Sequence, residues 1–226
     1  MGSQDEHKRL AAQAAADRVE EGMLVGLGTG STVAYLLKAL AERAIPTTYV
    51  STSPQTEATA TDLGLKVRSF DGVTQLDLAI DGADEVAPDF WLIKGGGAAH
   101  TREKLIAASS TAFIVMVDST KIVPKLRGPV PLELLAFGLD STIERIGSVT
   151  LRDVPMSPDG GVIADYHGAI EDPAVLAQWL SDTPGVIEHG LFPPSMVTEV
   201  VVASDGRVEW LQRAARQGEE RSDETR

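Results

Sequence analysis

Residues 23–44, MLVGLGTGSTVAYLLKALAERA, decide the fold. Met23, Leu24 and Val25 read as a short buried strand, residues 26–30 as a glycine turn, and residues 32–44 carry apolar side chains at helical spacing. Residues 10–19 before them are alanine-rich and helix-prone. After them the alternation continues, with strands at 48–50 and 66–67 around a helix at 56–63. A strand at 76–80 runs into DGAD, and another buried strand spans 113–117. Strands alternating with helices build a parallel sheet covered on both faces, so the expected class is α/β with a Rossmann-like main domain. Ligands of such sheets gather at the carboxyl ends of the strands. The motifs around Gly28, Asp81 and Lys94 all follow strand ends in this reading.

The rhythm changes near Pro129-Val130-Pro131. Strand 132–135, helix 141–146, strands 148–151 and 162–166, helix 174–180 and strand 186–188 give the order βαββαβ, the ferredoxin-like pattern. A smaller ferredoxin-like α+β domain is therefore expected over 129–194, beside a catalytic α/β domain over 1–128 and 195–216. Residues 198–203 and 208–211 around Ser204-Asp205-Gly206 read as a hairpin returning to the first domain. The charged residues 217–226 lack apolar anchors and read as a disordered tail.

A formal net charge of −13 argues against non-specific nucleic-acid binding and against an anionic membrane surface. It leaves a phosphorylated substrate open, because a few local donors outweigh a distant field screened by salt. The absence of cysteine excludes disulfides, thiolate zinc sites and thiol catalysis, and fits a reducing cytoplasm. No apolar run approaches a membrane span, and charged Asp5, Glu6, Lys8 and Arg9 do not suit a signal peptide.

Three stretches carry chemistry. In Gly26-Leu27-Gly28-Thr29-Gly30-Ser31-Thr32 a glycine turn exposes backbone N–H groups at a helix N-terminus, with three hydroxyls beside them, a geometry that binds an anion. It lacks the last glycine of a dinucleotide fingerprint, and no acidic residue follows Val50, so a phosphate-sized ligand fits better. A tight turn capped by Ser or Thr is the plain alternative. Asp81-Gly82-Ala83-Asp84-Glu85 could hold magnesium, but no further ligand motif completes a set, and carboxylate contacts to sugar hydroxyls rank ahead. In KGGGAAHTRE, residues 94–103, three glycines free the backbone to approach a ligand, while Lys94 and Glu103 bring a cation and a carboxylate base together. That pair suits proton transfer beside a carbonyl; a flexible loop that happens to carry charge is the alternative. Lys121, in Asp118-Ser119-Thr120-Lys121, also falls near a strand end and could hold a substrate oxygen or phosphate. Of the histidines, only His100 lies beside a motif.

GxGTGST, DGADE, KGGGAAHTREK and DSTK, in this order, resemble the type A ribose-5-phosphate isomerase family, as does Gly190-Leu191-Phe192 further on. The resemblance implies interconversion of ribose 5-phosphate and ribulose 5-phosphate in the cytoplasm, with no cofactor and no metal, by a homodimer or a dimer of dimers. It implies Glu103 as the base, with Asp81 and Lys94 also catalytic. Substrate contacts would come from Thr29, Gly30, Ser31 and Thr32, from Asp81, Gly82, Ala83 and Asp84, from Lys94, Gly95, Gly96 and Gly97, and from Lys121. The chemistry agrees: one carboxylate can carry a proton between adjacent carbons through an enediol. Lys94 and loop amides would stabilise the developing oxyanion, and Asp81 would serve ring opening. A nicotinamide-dependent oxidoreductase and a non-catalytic sugar-phosphate sensor are the competing classes.

Overall fold

The computed structural model describes residues 4–213. The expected tail at 217–226, and residues 214–216 before it, lie outside the described residues.

Helix α1 (Gln4–Ala16) precedes strand β1 (Leu24–Leu27), helix α2 (Ser31–Arg43), strand β2 (Thr48–Ser51), helix α3 (Pro54–Asp62), strand β3 (Lys66–Val67) and strand β4 (Leu76–Gly82). Two short strands, β5 (Glu85–Val86) and β6 (Leu92–Ile93), lead to helix α4 (His100–Ala108) and strand β7 (Ser110–Asp118). Next come strand β8 (Val130–Leu134), helix α5 (Leu139–Ile146), strands β9 (Val149–Leu151) and β10 (Val162–Tyr166), helix α6 (Pro173–Asp182) and strand β11 (Val186–His189). Strand β12 (Leu191–Phe192) and the hairpin β13 (Glu199–Ser204) and β14 (Arg207–Gln212) complete the described chain.

Seven strands form the main sheet in the order β14-β13-β7-β4-β1-β2-β3, parallel except for the β13–β14 hairpin. Alternate side chains feed two cores, as a sheet buried on both faces requires. Ile114, Met116, Val201 and Ala203 face the layer of α1 and α2, while Phe113, Val115, Val117, Val200 and Val202 face the other way, with Ile106 of α4. From β1 the chain builds outward through β2 and β3, and from β4 in the opposite direction through β7. The reversal between β1 and β4 is the topological switch point where ligands of such folds bind.

The four-stranded sheet has the order β11-β8-β10-β9, fully antiparallel, so its strands in chain order lie 4-1-3-2. This is the ferredoxin-like arrangement expected from the βαββαβ pattern.

The run 90–93, just before Lys94, is not a strand of the parallel sheet. Phe90 takes a left-handed φ of 70° in a tight turn, and only Leu92–Ile93 is extended. This β6 pairs antiparallel with β5 and with β12, in a separate three-stranded ribbon. Ile93 and Leu191 of the ribbon pack into the core of the small sheet. Lys94 is therefore carried at the joint between the two larger sheets, with its backbone N–H donating to Gly190 O at 2.9 Å.

Candidate active site

Three chain segments meet at the switch point. After β1, Gly28 is required sterically, because a Cβ there would fall on the Asp81 carboxylate. Gly30, at a φ of 124°, caps α2 with no side-chain hydrogen bond, so the first-turn N–H groups of α2 stay open toward the cleft. Thr29 is held by its N–H on Asp81 Oδ1 at 3.2 Å and by its hydroxyl against Thr52 at 2.7 Å. The end of β4 supplies Asp81 and Gly82, and the ribbon and the start of α4 supply Lys94, the glycines and Glu103.

Residues 29–32, 82–84 and 94–97 line one cleft of about 250 Å³ together with Glu103 and Lys121. That is smaller than the roughly 300–1,000 Å³ of drug-sized sites and suits a small ligand rather than a dinucleotide. Lys8 also lines it, with Nζ donating to Ser31 Oγ at 3.0 Å. Sequence reading missed Lys8, since nothing local in α1 marks it; only the packing of α1 against β7 and α2 brings it there.

Asp81 is placed differently from the expectation. It is 3% exposed and lies beneath the cleft rather than in its wall. Its Oδ2 accepts from Lys94 Nζ at 2.8 Å and its Oδ1 from Gly82 N at 2.7 Å. Its burial and these bonds turn it away from the cleft. Asp84 does face the cleft, with Oδ2 accepting from Gly96 N at 2.8 Å. Glu85 points elsewhere, holding Arg127 N at 2.7 Å and the Arg127 guanidinium at 3.2 Å. The three carboxylates considered for magnesium thus serve three different partners. Among the described residues no group of three or more His, Cys, Asp or Glu converges as a metal site.

Lys94 sits between two buried carboxylates. It donates to Asp81 and to Gly82 O at 2.7 Å, and Nζ lies 3.0 Å from Glu103 Oε2. The contact with Glu103 is an ion pair only. Its angles fall outside hydrogen bonding, and Oε2 is buried without a hydrogen-bond partner. Burial, reinforced by the nearby Asp81 charge, outweighs the Lys94 cation and pushes the Glu103 carboxyl up to about 8. Burial likewise raises Asp81 against Lys94 and its backbone donors. Burial works to lower the Lys94 pKa, but the Asp81 and Glu103 carboxylates together outweigh it and hold the ammonium above its ordinary value. A carboxyl that titrates near neutrality beside a fixed cation is a general acid–base group.

His100, next to the glycine loop, is fully buried with both ring nitrogens unpartnered, and burial presses its pKa down to about 3. The Lys104 charge adds to that fall, and the Glu188 backbone opposes it. A neutral ring away from the cleft wall is a packing residue here.

Residues 48–207 match the family model of ribose 5-phosphate isomerase A, also called phosphoriboisomerase A. This chain belongs to that family. Ribose-5-phosphate isomerase A of Lacticaseibacillus paracasei is 43% identical over 218 residues, covering 90% of this chain and 95% of the relative. The solved ribose 5-phosphate isomerase A of Neisseria gonorrhoeae superposes with a TM-score of 0.90 at 31% identity, covering 95% of this chain and 99% of that one. A D-ribose-5-phosphate isomerase in complex with phospho-erythronic acid gives 0.89 at 36% identity, covering 94% and 100%. As a member of the ribose 5-phosphate isomerase A family the chain is an aldose–ketose isomerase, which sets aside the oxidoreductase and sensor readings. No helix among the described residues is long and apolar enough to cross a membrane.

Proposed function

We propose that this cleft interconverts D-ribose 5-phosphate and D-ribulose 5-phosphate, with Glu103 carrying one proton between C2 and C1. The observation that carries the assignment is Glu103 itself: 4% exposed, unbonded at Oε2, raised to about 8 and in contact with Lys94. In its ionised form Glu103 removes the C2 proton of the open-chain aldose. The electron pair forms the C1–C2 double bond, and negative charge moves onto O1. Two of the three Lys94 protons are committed to Asp81 and Gly82 O, and the third serves that oxygen. The hydroxyl proton passes from O2 to O1 with Asp84 as relay, and Glu103 returns its proton to C1. Asp84 rather than Asp81 also serves ring opening, because it faces the cleft; Asp81 acts by anchoring Lys94.

The phosphate takes the open N-terminus of α2, with Ser31, Thr32 and Lys8 around it and Lys121 across the cleft. The phospho-erythronic acid in complex with a solved relative supports a phosphorylated sugar as the ligand. That ligand joins a phosphate to a planar anionic carboxylate, the shape of an enediolate. The reaction as assigned calls on no nucleotide and no metal. We further infer a homodimer or dimer of dimers in the cytoplasm. Edge strand β11 leaves Ile187 exposed, as Leu135 and Phe137 are just after β8, an apolar surface suited to a second copy. Light scattering of the pure protein measures the assembly.

The test of the reaction is ketose formation from ribose 5-phosphate by protein dialysed against EDTA, without nucleotide. Absence of turnover that returns with one divalent ion would overturn the metal-free assignment. Turnover that survives in folded Glu103→Gln would overturn the base.

A further inference from the structure

We propose that Arg152, on the small sheet, is a positioning residue for the isomerisation: it fixes the glycine loop so that the Gly96 and Gly97 N–H groups face the cleft. This rests on the cleft being the active site. Arg152 follows β9, and its own N–H donates to Ile163 O at 3.0 Å, so its backbone is tied to β10. All three guanidinium nitrogens are used. Nε and Nη2 grip Asp165 at 2.8 and 2.6 Å, a bidentate fork that fixes the guanidinium plane. Nη1 then donates to Gly95 O at 2.8 Å and to Gly96 O at 3.2 Å.

The consequence follows from peptide geometry. In a trans peptide the N–H points opposite to the carbonyl of the preceding residue. Holding Gly95 O and Gly96 O toward the small sheet turns Gly96 N–H and Gly97 N–H the other way. Gly96 N–H ends on Asp84, as described above. Gly97 lines the cleft, and its N–H meets no acceptor among the described residues, so it is free for a substrate oxygen. Three glycines in a row have no side chains to select one backbone conformation, and Gly95 sits at a φ of 107°. A turn bond from Ala98 N–H to Gly95 O at 3.0 Å closes the loop on itself, and the external clamp on Gly95 O and Gly96 O fixes how that closed loop is oriented over the cleft. Preorganised donors are the ones that stabilise a developing oxyanion.

Sequence alone offers no hint of Arg152, because the contact spans more than fifty residues and two sheets. A lysine would not replace it: an ammonium has no planar fork with which to hold Asp165 and bridge two carbonyls.

The experiment compares Arg152→Gln, Arg152→Lys, Arg152→Ala and Asp165→Asn with the parent on ribose 5-phosphate. Expected is a fall in kcat of about 10- to 100-fold for Arg152→Gln and Arg152→Lys, as for small misplacements of catalytic groups, with KM changed far less. Asp165→Asn falls in the same direction, and added methylguanidinium restores kcat of Arg152→Ala while ammonium does not. The control is Arg102→Gln, which breaks an exposed bridge from α4 to Asp159 and is expected to leave kcat unchanged. Folded Arg152→Gln and Asp165→Asn with parental kcat overturn the proposal, as does an equal loss in Arg102→Gln. Should Arg152 variants not fold, Asp165→Asn decides, since it keeps the arginine and removes only the fork. Glu103→Gln in parallel separates the two readings: if it is inactive while Arg152→Gln is normal, the site stands and the clamp fails.

Discussion

Replacing Glu103 by Gln should abolish turnover and yet stabilise the protein at alkaline pH. The folded-state pKa of Glu103 is raised from 4.5 to about 8, so the folded protein holds a proton that the unfolded chain releases. The stability tied to that proton is complete below about pH 4.5 and is lost as pH rises through about 8. At about 1.4 kcal/mol per pH unit, the interval from 4.5 to about 8 sets a ceiling of about 5 kcal/mol. Asp81 titrates together with Glu103 and takes part of that swing, while Lys94 stays charged throughout, which leaves about 2 kcal/mol as the working expectation. For a chain of this size that is about 4–8 °C in Tm. Gln mimics the protonated acid, so parent and variant should melt together near about pH 5 and separate as pH rises, the variant ending higher. Calorimetry of both proteins across the range measures the difference, in which all other titrating groups cancel. The same proton governs catalysis, and parental kcat/KM should rise with pH toward about 8 as the base form appears. A Tm difference independent of pH, or a variant that loses stability relative to the parent as pH rises, would refute the reasoning. Either would mean that Glu103 is an ordinary ion-pair partner of Lys94.

Lys8→Ala and Ser31→Ala should each raise KM for ribose 5-phosphate by about 10-fold, the worth of a charge-assisted hydrogen bond, with little effect on unphosphorylated ribose; equal losses on both substrates would count against a phosphate role. Asp81→Asn removes a buried like charge and leaves Lys94 to Glu103 alone, so the rise of kcat/KM should move to lower pH while kcat falls; an unmoved pH profile would show that Asp81 does not tune the base. His100→Leu should raise stability by about 1 kcal/mol without changing kcat, because two unsatisfied ring nitrogens leave the core; thermal unfolding measures this, and a destabilised variant would show that the ring has a partner.

The parts of the fold that could be read from residues are those whose cause is local. A glycine turn between an apolar strand and an amphipathic helix constrains its own backbone, and so do the βαββαβ alternation and the Ser204-Asp205-Gly206 hairpin. In that hairpin Asp205 and Gly206 take φ of 46° and 75°, as a two-residue turn demands. The ribbon was not legible. A two-residue strand such as Leu92–Ile93 has too little pattern to name its partners, and its pairing with β12 joins residues almost a hundred apart. The site divides in the same way. The residues on the motifs come together because the strand ends come together. Lys8 reaches the cleft, and Arg152 reaches the back of its glycine loop, by tertiary packing alone, one from the helix over the main sheet and one from the small sheet. Asp81 and Asp84 could not be ranked from sequence, because only the length of β4 decides which one is buried and which faces the cleft.

The electrostatics of the cleft follow from one missing atom and one missing charge. Without a Cβ on Gly28, Asp81 can sit under the turn and take an N–H from each of Thr29 and Gly82. So anchored, Asp81 captures Lys94, whose remaining commitments to Gly82 O and to the ribbon leave it little freedom to turn. One ammonium then serves two buried carboxylates, and the geometry settles which is better served. Asp81 has a hydrogen bond from Lys94 at 2.8 Å; Glu103 has a contact at 3.0 Å that is not a hydrogen bond. Both carboxyls are raised by burial, but the less satisfied one, Glu103, is the one at the cleft wall, where its proton affinity near neutrality can be used. A fully paired Glu103 would be more stable and a weaker base. The strain of leaving it short of partners is therefore the source of the reactivity assigned to it.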